Sequence, residues 1–125
     1  MILCYRFDAK QMLILNALAL RTAGCCVRQV KPKEYGLTLN RLLSGETNDD
    51  AVIGIIGDVS EKMLVMCGLT DAQMQAFLNA LRMANLSAGV LKAILTETNA
   101  EWDSVRLYAE LCKERAAMGH AHGGK

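Results

Sequence analysis

The feature that most constrains this chain is a local grammar that occurs twice. Ile2-Leu-Cys-Tyr-Arg-Phe7 is a short apolar run bounded by Asp8, which reads as a strand leading into a helix N-cap with Gln11 three residues on. Gly24 stands where that helix must end, and Cys25 to Lys31 forms a second strand closed by Pro32. The same order returns at Leu64-Val-Met-Cys67, followed by Thr70-Asp-Ala-Gln73, a capping box in which the Thr hydroxyl and the Gln side chain each satisfy a free helix-start amide. Met74, Phe77, Leu78 and Leu81 then fall on one helical stripe, Asn85 to Gly89 interrupts it, and Val90 to Thr96 is the next strand. Each half is therefore a β-α-β unit.

The halves also match by residue. Gln11-Met12 answers Gln73-Met74, and Asn16-Ala17-Leu18 answers Asn79-Ala80-Leu81 with a slip of one position, a pattern that points to internal duplication. Further helix follows each unit: a short one at Leu37 to Leu43, and a long one from Asn99 to about Met118 with Trp102, Val105, Tyr108 and Cys112 spaced for one buried face. Glu46 to Asp50 reads as a polar loop. Ala51 to Val59 is ambiguous, because its β-branched residues favour a strand while Gly54 and Gly57 oppose any regular element.

A right-handed crossover makes the two strands of each unit parallel. The expected fold is an α+β two-layer sandwich whose four-stranded sheet is built from duplicated β-α-β units, interleaved in a ferredoxin-like manner with extra helices. A parallel α/β sheet is the alternative. One domain is expected over residues 1–118, with pseudo-repeats at about 1–44 and 63–118, a linker at 45–62 and a disordered tail at 119–125. At 125 residues and 52% hydrophobic composition, such a domain can bury a core without metals or disulfides.

Composition narrows the partners. A formal net charge of +1, with no clustered Lys and Arg beside exposed aromatics, argues against nucleic acid. No run approaches the ~20 apolar residues of a membrane span, and the N-terminus lacks the pattern of a secretory signal. Five scattered cysteines (Cys4, Cys25, Cys26, Cys67 and Cys112) without any C-x-x-C suit reduced thiols in a cytoplasm.

Candidate chemistry is sparse. Cys67 precedes a helix start, whose dipole can stabilise a thiolate, but an inward-facing strand cysteine explains it as well. His120 and His122 sit in the tail, and vicinal Cys25-Cys26 does not complete a four-ligand site, so neither a metal nor a cofactor is expected. Gly54-x-x-Gly57 lacks the Lys-Ser/Thr of a phosphate loop, and neither Asp49-Asp50 nor Glu97 with Glu101 has the spacing of an acid/base pair. No catalytic residue is assigned, and the balance leans away from an enzyme.

Two regions do stand out. The first helix is apolar almost all round. Ile14, Leu15 and Leu18 can serve the core, which leaves Leu13, Ala17 and Leu20 on a second stripe, whereas the second helix offers polar Gln75, Asn79 and Arg82 opposite its core face. That second stripe is either covered by the C-terminal helix or by Ala51 to Val59, or it is an interface for self-association. The other region is the strand-to-helix junction Thr96-Glu-Thr-Asn-Ala-Glu-Trp102, where Thr98 or Asn99 can cap a helix and a helix start can receive an anion.

The strand MLVMCGL, the helix beginning TDAQMQAFLNALRMA, the strand LKAILTETN and the helix after Trp102 together resemble an uncharacterised bacterial and archaeal family, domain of unknown function 3783. The resemblance runs from Met63 to about Glu114. The family's junction looks like Leu-Thr-Pro-Thr-Asn with a Trp after two further residues. Leu95, Thr96, Thr98, Asn99 and Trp102 match it, and Glu97 stands in place of the proline, which loosens the turn. The first half looks like the region that precedes this domain in longer members, less distinctly. The resemblance implies no catalytic residue or cofactor, and it makes Thr96, Thr98, Asn99 and Trp102 the candidate ligand-binding residues. The expectation is thus a non-enzymatic cytoplasmic binding or regulatory module, a possible homo-oligomer with an unidentified protein or small molecule as partner. The alternative is a small ligand-binding domain or enzyme that uses the Thr96–Trp102 junction.

Overall fold

The computed structural model describes residues 1–47 and 58–123. Residues 51–57 of the ambiguous stretch Ala51 to Val59, the Gly54-x-x-Gly57 motif and the Asp49-Asp50 pair lie outside the described residues; Val59 is buried. The elements are β1 (Ile2–Tyr5), α1 (Ala9–Ala23), β2 (Val27–Gln29), α2 (Leu39–Leu43), β3 (Met63–Met66), α3 (Asp71–Met83), β4 (Leu91–Ile94) and α4 (Ser104–Gly123), with 3₁₀ turns at Pro32–Glu34 and Asn99–Glu101. The architecture is α+β, a four-stranded mixed sheet with helices. The chain divides into two compact units, one of Met1–Lys31 with Ser60–Thr96 and the other of Pro32–Val59 with Glu97–Lys125.

The first unit holds the sheet and the two principal helices. Both helix starts form the reciprocal capping box. Asp8 accepts from the Gln11 amide at 2.7 Å while Gln11 Oε1 accepts from the Asp8 amide at 3.0 Å. Thr70 and Gln73 repeat this at 3.1 and 2.9 Å. Gly24 ends α1 in the left-handed conformation (φ 61°), its amide donating to the Leu20 carbonyl at 3.2 Å and the Cys25 amide to the Ala19 carbonyl at 3.4 Å. In α3 the same reversal is made by Asn85 at φ 59°, the non-glycine residue that tolerates this region best.

Strand order is β2-β1-β3-β4, with β1 parallel to β2, β3 parallel to β4, and β1 antiparallel to β3. The two strands of each β-α-β unit are thus immediate neighbours, and the units meet side by side at an antiparallel seam. This is neither the interleaved order nor the wholly parallel sheet that the sequence suggests. The crossover rule fixes only the direction of the two strands within a unit, and the seam pairing Ile2 with Met66 and Tyr5 with Met63 is a long-range choice. The amide of Cys67 extends it by donating to the Met1 carbonyl at 3.0 Å.

Side chains alternate across a strand. Ile2, Cys4, Leu64 and Met66 form one core with Leu15, Leu18 and Ala19 of α1 and Phe77 and Leu81 of α3. Leu3, Tyr5, Met63 and Val65, of opposite parity, are fully buried too, so the central strands have no solvent face. Met74 and Leu78 pack half-buried against the core of α3, as its stripe predicts. Ile14 departs from expectation: it is 38% exposed, and Ala19 and Ala23 take buried places instead. Residue 14 lies one step round the helix from Leu15 and Leu18, toward solvent.

In the second unit the Leu39 amide donates to the Trp102 carbonyl at 2.9 Å and the Ser104 amide to the Tyr35 carbonyl at 3.1 Å. Tyr35, Leu39, Leu42 and Leu107 are buried. The long helix begins at Ser104, later than the sequence suggests, because Asp103 provides the cap: its Oδ1 accepts from the Arg106 amide at 2.8 Å. Among its described side chains Ser104 and Leu107 are buried, while Val105, Tyr108 and Cys112 are only half-buried. The helix continues to Gly123, into the stretch expected to be without order. No helix among the described residues is long and apolar enough to cross a membrane.

Candidate functional site

The solvent side of α1 is the most unusual surface in the first unit. Leu13 is 74% exposed and Leu20 54%, with Ala17 exposed between them, so the stripe left over after the core is satisfied remains open along two helical turns. A lone exposed leucine needs no explanation, but a row at i, i+4 and i+7 makes a continuous apolar ridge. The charged residues within the helix are Lys10 and Arg21, and the exposed Asp8 carboxylate caps its start.

Another flank of α1 borders a groove. α1 and α3 pack against each other, and the Gln73 side chain at the start of α3 donates to the Ala23 carbonyl at the end of α1 at 3.4 Å, which fixes their antiparallel sense. Between them runs an open groove of about 380 Å³, lined by Leu18 and Arg21 of α1 and by Ala76, Asn79, Ala80, Met83 and Ala84 of α3. Alanines at 76, 80 and 84 keep its floor low, and Met83, 87% exposed, stands at its rim as a flexible apolar side chain. Asn79 is held by a hydrogen bond from Arg82. The groove requires the packing of two helices distant in sequence, and the sequence reading missed it; the i, i+4, i+8 spacing of Ala76, Ala80 and Ala84 is the signal that could have found it.

The junction residues have mixed surroundings. β4 closes with the Leu95 amide on the Met66 carbonyl at 3.0 Å, and Thr96, Glu97 and Thr98 are exposed beyond it. Thr98 lies in right-handed helical conformation and makes no side-chain capping bond. Asn99 is 9% exposed, and its carbonyl accepts from the Trp102 amide at 3.0 Å. Trp102 is half-buried, with the Arg106 guanidinium 4.5 Å above its ring, a cation–π contact. Glu101 accepts from the Asn40 side chain at 3.0 Å. Thr96 belongs to the first unit, and Thr98, Asn99 and Trp102 to the second.

The thiols are poor nucleophiles where they are buried. Burial pushes Cys67 up to about 11, against a smaller lowering from the N-terminal ammonium, and its Sγ donates to the Val65 carbonyl. Burial also pushes Cys4 up to about 12. A helix start beyond Cys67 does not overcome this desolvation. Cys25 is half-buried against the core and Cys26 is exposed. Among the described residues, no group of three or more His, Cys, Asp or Glu side chains is placed to hold a metal ion.

No curated protein and no solved structure matches this chain. Residues 62–118, spanning β3, α3, β4, the Asn99–Glu101 turn and most of α4, are similar to the family described as Domain of unknown function (DUF3783).

Proposed function

We propose that this chain is a non-enzymatic binding or regulatory module of the cytoplasm that self-associates through the α1 ridge and the adjoining α1–α3 groove. The observation that carries this reading is the exposed row Leu13, Ala17 and Leu20, placed on a capped, regular helix whose opposite side is fully engaged in the core. Such a surface is rigid and apolar, and its burial against another molecule releases ordered water without a large ordering cost. Internal duplication of a β-α-β unit accounts for the paired capping boxes and for two similar helices, of which only the first has an apolar outer stripe.

Native mass spectrometry of the untagged protein tests this reading. The expected result is a dimer, or a higher closed oligomer, that dissociates on Leu13→Glu or Leu20→Glu while circular dichroism stays unchanged. A clean monomer throughout the micromolar range contradicts it. A retained small-molecule mass that is lost on Thr98→Ala with Asn99→Ala would replace it with ligand binding at the junction.

A further inference from the structure

We draw no further inference here: the strongest candidate, the open groove between α1 and α3 lined by Leu18, Arg21, Ala80 and Met83, adjoins the surface already proposed for self-association, and nothing in the structure shows what covers it.

Discussion

Leu13→Ala separates the ridge's part in association from any part in folding. Leu13 is 74% exposed, so only about a quarter of its side chain is covered within one chain. With about 2 kcal/mol for complete burial of a leucine, truncation costs the single chain ~0.5 kcal/mol, and the higher helix propensity of alanine offsets part of that. Burial of the exposed remainder in a dimer contributes ~1.5 kcal/mol per copy, and two-fold symmetry counts it twice, for a total of ~3 kcal/mol. At 1.4 kcal/mol per decade the dissociation constant should rise about 100-fold. Sedimentation velocity over a dilution series reads the association, and urea unfolding reads the fold. A dissociation constant within about threefold of wild type, or a loss of folding stability above ~1 kcal/mol, would refute the reasoning.

The core and caps give independent checks. Phe77→Ala, at a fully buried position between α3 and the sheet, should lower the unfolding free energy by ~3–5 kcal/mol in a urea melt. Thr70→Ala removes half of a capping box and should cost ~1 kcal/mol in the same assay, with Thr70→Ser close to wild type. Ellman titration of the native protein should label exposed Cys26 first and Cys4 and Cys67 only on unfolding. Those two thiols lie above the ordinary 9.0, at about 12 and about 11, so the unfolded chain releases their protons at a lower pH than the folded one. Their effect is absent below pH 9, and unfolding free energy should fall as pH rises from 9 toward 11–12, the fall shrinking in Cys4→Ala.

Local signals were legible because their partners are local. Asp8 with Gln11, Thr70 with Gln73, and Gly24 act within one turn of chain, and the structure uses each of them as a cap. Strand order was not legible, since Ile2 meeting Met66 depends on residues 64 apart and several arrangements satisfy the crossover rule equally. The start of α4 was misplaced because Thr98, Asn99 and Asp103 are all good caps in succession, and only the contacts of Leu39 and Ser104 with that loop favour the last. Periodicity detected that α1 carries more apolar residues than one core face can use, yet the same pattern fits a covered helix and an open one. In the structure Leu13 is 74% and Leu20 54% exposed.

The most direct test of self-association through α1 is sedimentation equilibrium of the wild-type protein beside Leu20→Glu, across the micromolar range. The account predicts a reversible monomer–dimer equilibrium for the wild type and a monomer for the variant at every concentration. A wild-type monomer throughout, or a variant that dimerises as well as the wild type, would contradict it.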